Sequence, residues 1–271
     1  MEAARALLAW RGDAYGGWQL QPDVPTVQAA VEQAVSRIMD VERVVVRAAG
    51  RLDAGVHAEA QVVAFDVPAD RSAHALWRGM NGLLPDDIAC LALAATHRGF
   101  DPRRANSGKT YRYRVLTRAT KCPFRRRSCW HVGRPLDVSA MQTAAAALVG
   151  RHDFSSFRAS GCSATHPNRR VRALQVTTDG DEVRILVDGE AFLRHQVRIM
   201  AGALVEVGLA RRPPRWMVEV LQARDRAAGA RTAPAHGLCL ERVHFSPPLS
   251  WDVGQAPSDG EGGAASRASP P

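Results

Sequence analysis

The sequence predicts a mixed α/β protein of the α+β kind, built as two halves, and three features carry that prediction. Short β-branched or aromatic runs, such as Val44-Val45-Val46 and Val62-Val63-Ala64-Phe65, alternate with segments whose apolar residues recur at helical spacing. Two rounds of this strand-and-helix mixture follow one another, with no tandem repeat. The 271 residues are enough to bury a substantial core, in one large domain or two small ones. The expected boundaries are an N-terminal half over residues 1–105, a C-terminal half over 106–245 and a disordered tail over 246–271.

Ala6 to Trp10 reads as a first strand, followed by a glycine-punctuated loop from Arg11 to Gln21. From Thr26 onward Val27, Val31, Val35 and Ile38 fall on one helical face, which is expected in the core. Val44–Val46 and Val62–Phe65 supply the next strands. Between them Gly50-Arg51-Leu52-Asp53-Ala54-Gly55-Val56-His57-Ala58 forms a loop bracketed by glycines, where the chain turns sharply or lets another molecule approach. Asp53 is its only acid, and Arg51 lies two residues away. A carboxylate near guanidinium groups stays ionised, a nucleophile or base in waiting. On the residues alone, an Asx-turn at Asp53 with His57 packed in the core accounts for the same stretch.

Residues 71–90 carry His74, Leu76, Trp77 and Met80 on a helix expected to end near Asn81-Gly82. Lys109 to Val115 alternates in polarity, a strand with Tyr111, Tyr113 and Val115 on one face, Tyr113 being the core residue. Pro135 to Leu148 reads as an Ala-rich helix closed by Gly150, and Val171–Thr177 with Val183–Val187 as a hairpin through Asp179-Gly180. Ala191 to Met200 enters a helix running to Gly208, on which Arg198 interrupts an apolar stretch; a buried arginine needs an anion. Pro213-Pro214-Arg215 opens a helix with Trp216, Val220 and Leu221 toward the core, and a last strand runs through Phe245. His152 and Asp153 are adjacent, and are expected to cap and order their loop rather than to catalyse. From Ser246 the chain is rich in Pro, Gly, Ser and Ala, which predicts disorder.

The formal net charge of +9 points to a polyanionic partner. Only two of the 36 basic residues are lysines, Lys109 and Lys121, and guanidinium groups match phosphate geometry. Arg125-Arg126-Arg127 either meets phosphates or forms a solvated loop. The five cysteines are odd in number and lack a C-x-x-C pair, which argues against a disulfide framework. Cys122, Cys129 and His131 match no standard zinc spacing, so no metal is expected. There is no apolar run of about 18 residues to cross a membrane, and Met1 to Arg5 does not begin a secretion signal. A soluble, intracellular protein is expected.

Gly50 to Ala58 resembles the signature loop of the TruA-type tRNA pseudouridine synthases, written G-R-T-D-A-G-V-H-A, with Gln61-Val62 and Phe65 following as in that family; Leu52, in place of Thr, is the one departure within the loop. Further agreement comes from Gly17-Trp18-Gln19, Leu84-Pro85, Lys109-Thr110-Tyr111-Arg112-Tyr113, His152-Asp153-Phe154, the F-x-x-x-x-V-R run ending at Arg198, and Thr232 to Leu240. The resemblance covers residues 6–245. Within Phe100 to Ala105, Asp101 stands where the family has His.

The resemblance implies the pseudouridine synthase fold, two mixed α/β halves with an antiparallel sheet and a central catalytic cleft. It implies Asp53 as nucleophile, Arg198 as its cationic partner, Tyr111 against the target base, and Arg51 on the flipped nucleotide or its phosphate. It further implies tRNA as substrate, modified in the anticodon arm at nucleotides 38 to 40, by a cytoplasmic homodimer. Converting uridine to pseudouridine balances atoms and oxidation state, so no cofactor is expected. Two other readings stand beside this one. A non-catalytic RNA-binding homologue, or a synthase with altered site choice, is permitted by Leu52 and Asp101. A glycoside or nucleoside hydrolase requires a second acid across the scissile bond, and the loop offers one.

Overall fold

The computed structural model describes residues 1–67 and 71–256. In chain order the elements are β1 (Ala3–Trp10), α1 (Val27–Met39), β2 (Arg47–Ala48), β3 (His57–Asp66), α2 (Ala73–Leu83), β4 (Ile88–Thr96), α3 (Pro102–Ala105), β5 (Asn106–Leu116), β6 (Trp130–His131), α4 (Val138–Ala146), β7 (Gly150–Asp153), β8 (Asn168–Asp179), β9 (Glu182–Gly189), α5 (Gln196–Gly208), α6 (Trp216–Ala223), β10 (Leu238–Phe245) and β11 (Val253–Gly254). The strands form one continuous sheet in the order β11-β4-β1-β3-β10-β5-β9-β8-β7, with β2 on β3 and β6 on β5. The long pairings are antiparallel. At the middle, β10 lies parallel to β3 through Cys239 opposite His57 and Leu240 opposite Ala58. This seam joins the β4-β1-β3 half of the sheet to the β10-β5-β9-β8-β7 half, and the Gly50–Val56 loop enters β3 at it.

Alternation along each strand sends large apolar residues to the face that carries the helices. Tyr113, Ile185, Leu8 and Phe65 are fully buried there, together with Val31 and Val35 of α1 and Met200 and Leu204 of α5. The opposite face carries charge pairs instead, among them Arg112 between Glu59 and Glu241, and Arg172 with Asp188.

Three expectations need correction and one is incomplete. Val44–Val46 is not a strand, and only Arg47 and Ala48 pair with β3. Side chains of α1 take the backbone groups that a neighbouring strand would have satisfied: Ser36 Oγ accepts from Val44 N at 2.8 Å and Glu32 Oε1 from Val46 N at 3.0 Å. The stretch from Ala191 does not begin a helix directly, because α5 starts at Gln196 after a turn. In α6 Val220 is buried and Trp216 and Leu221 pack half-buried against the core as expected, but Met217 is fully buried beside them and was not expected there. The predicted disordered tail over 246–271 is ordered as far as Ala256, and the remainder of that prediction lies outside the described residues. Leu249, Trp251 and Val253 recur every second residue and pack on the core, β11 pairs with β4, and Arg5 stacks on the Trp251 ring at 5.7 Å. Three large apolar side chains in a Pro- and Ser-rich stretch suffice to hold it.

Strand β4 escaped the sequence reading. Its run Ile88-Ala-Cys-Leu-Ala-Leu-Ala-Ala-Thr is alanine-rich, with little intrinsic strand preference, and pairing with β1 and β11 on both sides imposes the conformation.

Candidate active site

Asp53 opens a tight turn: Val56 N donates to its carbonyl at 3.2 Å, and Gly55 takes the left-handed conformation, φ 77°, that the third position of such a turn requires. The loop is fastened on both sides by residues of the first glycine-rich segment. Trp18 N donates to Leu52 O at 3.0 Å, Gly55 N to Tyr15 O at 3.3 Å, and Trp10 Nε1 to Val56 O at 3.2 Å. Gly12 and Gly17 make this docking possible, since a Cβ would fall 2.2 Å from Val56 O at the first and 2.6 Å from Leu52 O at the second. His57 completes the clasp. Its Nδ1 accepts from Gly12 N at 3.0 Å, so Nε2 carries the hydrogen and donates to His236 O at 3.1 Å.

The carboxylate of Asp53 leaves this scaffold and meets α5. Its Oδ2 lies 3.3 Å from Arg198 Nη1 and 3.4 Å from His195 Nε2. Arg198 is itself aimed by its Nε, which donates to Ala233 O at 2.9 Å. Close packing of α5 on that segment depends on Gly202, where a Cβ would come within 2.1 Å of Arg231 O. Tyr111, from the middle of β5, is buried, and its ring meets Phe192 edge-on at 5.2 Å between centroids. Burial, and then the Asp53 charge, raise its phenol pKa, so the hydroxyl keeps its proton at neutral pH. The structure thus brings Asp53, Arg198 and Tyr111 together. Arg51 is exposed and makes no ion pair among the described residues.

His195 is the member the sequence reading missed. A signal was present, because positions i and i+3 at the start of a helix share a face and His195 precedes Arg198 by three. Its backbone is left-handed, φ 61°, a conformation non-glycine residues rarely hold and one that clusters at functional sites. Burial lowers the His195 pKa below its ordinary value, overriding the opposing pull of Asp53, with Arg198 adding to the decrease. His195 is therefore neutral at neutral pH, and the cation facing Asp53 is Arg198.

Burial likewise holds His236 and His244 below the ordinary histidine value of 6.5. A histidine harder to protonate in the folded than in the unfolded chain contributes stability that is intact above pH 6.5 and is lost as the pH falls below it. The urea midpoint is expected to be lower at about pH 5.5 than at about pH 7.5; equal midpoints would show that these rings titrate alike in both states.

Both departures from the motif have structural occupations. Leu52 is buried in the core, and Asp101 caps α3, its Oδ1 accepting from Arg103 N at 2.8 Å. The arginine run divides. Arg125 is held by Asp181 at 2.7 and 2.8 Å, whereas Arg126 and Arg127 are exposed beside the almost fully exposed Phe124, at a surface cavity of about 400 Å³ shared with Arg11. His152 and Asp153 act locally, His152 on Val149 O and Asp153 on Ser155 N. Cys129 lies against Glu182, and His131 bonds Arg118 O. Among the described residues, no helix is long and apolar enough to cross a membrane.

A protein of Myxococcus xanthus named tRNA pseudouridine synthase A is 48% identical over 246 residues, covering 90% of this chain and 92% of that protein. The chain belongs to the TruA family of tRNA pseudouridine synthases. A second relative of the same name, from Geobacter sulfurreducens, is 41% identical over 245 residues and is covered over its full length. The family model described as tRNA pseudouridine synthase matches residues 144–246, the part that contains β9, α5 and β10. Membership in the TruA family makes the chain an isomerase and gives its mixed α/β architecture the name of pseudouridine synthase fold. The Asp53 cluster draws on both halves of that fold, with the loop from one and Tyr111, His195 and Arg198 from the other.

Proposed function

We propose that the chain converts uridine to pseudouridine in the anticodon arm of tRNA, at nucleotides 38 to 40, with Asp53 as the nucleophile. The observation that carries this reading is the Asp53 carboxylate held against Arg198 at 3.3 Å beside the buried Tyr111. In the reaction the N1–C1′ bond breaks, the base turns, a C5–C1′ bond forms, and the hydrogen lost from C5 is balanced by one gained at N1. Asp53 bonds to the substrate, at the ribose or at the base, and is returned unchanged when the new bond closes. No oxidant, reductant or metal enters this balance.

The target base must first leave its stack, which costs a few kcal/mol. The exposed guanidinium of Arg51 holds the displaced nucleotide or its phosphate, and the ring of Tyr111 packs on the base. Arg198 keeps the carboxylate aimed. Arg198→Met removes the guanidinium that faces Asp53, and is expected to lower kcat by about 100-fold, or roughly 2.7 kcal/mol, with tRNA affinity little changed. An unchanged kcat would remove Arg198 from the mechanism.

The proposed assembly is a cytoplasmic homodimer in which one tRNA contacts both subunits, as the family resemblance implies; sedimentation of the protein with and without tRNA reads it. Reaction and site choice are tested by incubating the protein with unmodified tRNA transcripts and mapping pseudouridine by carbodiimide adduct stops. Stops confined to the anticodon arm support the reading. Stops elsewhere would reassign the target, and tight binding without stops would favour a non-catalytic RNA-binding protein.

A further inference from the structure

Of the two lysines in a chain that otherwise uses arginine, Lys109 is buried, only 9% exposed. Its Nζ donates to Asn106 Oδ1 at 3.0 Å, and no ion pair joins it to a carboxylate among the described residues. Asn106 has no freedom to turn away, because its amide donates to Pro102 O and Arg103 O at 2.9 and 2.7 Å. Two of the three ammonium donors remain uncommitted. A buried cation without an anion is costly, by several kcal/mol for a full desolvation, and the cost is relieved by loss of the proton or, where one is available, by a bound anion.

The surroundings fit a bound anion. Lys109 lies two residues before Tyr111 on β5 and so shares its face of the sheet, about 7 Å along the strand. Gly50, the first residue of the Asp53 loop, sits against the lysine, and a Cβ there would come within 3.0 Å of Lys109 Cε; the missing side chain leaves the approach open. The partners of Lys109 in register are Gly189 of β9 and Val243 of β10, both uncharged. Asp188 and His244 engage Thr110, whose side chain points to the other face. From α3 the charge acting on Lys109 is Arg103, of like sign, while Arg104 and Arg51 are exposed. We propose that Lys109, together with Asn106, Gly50 and Arg103, forms a binding site for one backbone phosphate of the tRNA next to the Asp53 loop. The proposal rests on the tRNA reading above.

Burial, with Arg103 adding to it, pushes the free ammonium down to about 8. A bound phosphate restores the charge, so binding takes up a proton as the pH rises. The affinity of the full-length protein for a tRNA transcript, measured by filter binding at fixed salt, is expected to weaken about tenfold between about pH 7 and pH 9. Lys109→Met should bind more weakly at pH 7, show little change over the same range, and have a log affinity against log salt slope shallower by about one ion. Lys109→Arg should keep the salt slope and lose the pH dependence. Melting curves of both variants establish that they fold, and the wild-type pH profile needs no variant. A wild-type protein that modifies tRNA but binds it equally at both pH values, with the salt slope of Lys109→Met unchanged, overturns this inference alone. Failure of the wild type to bind tRNA overturns both readings.

Discussion

Asp53→Asn is expected to lower pseudouridine formation by at least about 1000-fold, roughly 4 kcal/mol of transition-state stabilisation, while tRNA affinity stays within about threefold. The substitution keeps the size of the side chain and an oxygen that can accept from Arg198 Nη1, so the turn, the Gly12 and Gly17 contacts and the placement of α5 persist. What is lost is the anionic oxygen that forms the covalent bond in the proposed mechanism, and an amide is a poor nucleophile. Single-turnover release of tritium from C5-labelled uridine reads the chemistry, and filter binding reads the affinity. Parallel loss of both would make Asp53 a structural residue, in which case Arg198 serves as a tie between the halves. Full activity would move the reaction to another carboxylate.

Glu182→Ala is expected to cost about 3 kcal/mol of stability, the low end of the range for breaking a buried ion pair. Glu182, at the start of β9, is 2% exposed and gathers three guanidinium groups: Arg114 at 2.7 and 2.8 Å, Arg184 at 3.0 Å and Arg125 at 3.8 Å. Burial alone would raise its carboxyl pKa. The hydrogen bonds from Arg114 and Arg184 outweigh burial and leave it below the ordinary value. The low end of the range applies because Arg114 and Arg184 retain contact with water. Urea unfolding of the variant against wild type measures the cost, with Glu182→Gln as the version that keeps size and some hydrogen bonding. A loss under about 1 kcal/mol would mean that the arginines find other partners. Since the cluster lies at the far end of β5 from Lys109, pseudouridine formation by the folded variant is expected to persist at low temperature.

The sequence by itself determined the positions of most elements, because their signals are local. Apolar spacing set α1, polarity alternation set β5, and the Asp179-Gly180 turn set the β8–β9 hairpin. It singled out Asp53, Tyr111 and Arg198 through the motifs it shares with the TruA family, and the structure places all three in one cluster. Where a conformation depends on neighbours, local signals fell short. Val44–Val46 has the composition of a strand, yet α1 side chains satisfy its backbone; β4 is alanine-rich and becomes a strand by pairing on two sides.

Tertiary structure alone decided the remainder. It placed His195 on Asp53 across 142 residues of chain, neutralised it by burial, and left Arg198 as the charge that faces the carboxylate. It also buried Lys109 beneath Gly50 without a counter-ion; the alternation of β5 puts that lysine on the face of Tyr111, but the absence of a carboxylate around it follows only from the packing. The physical reason is common to both. Desolvation and pairing depend on which distant segments pack together, and the parallel seam between β3 and β10 brings the loop from one half against the strand and helix of the other.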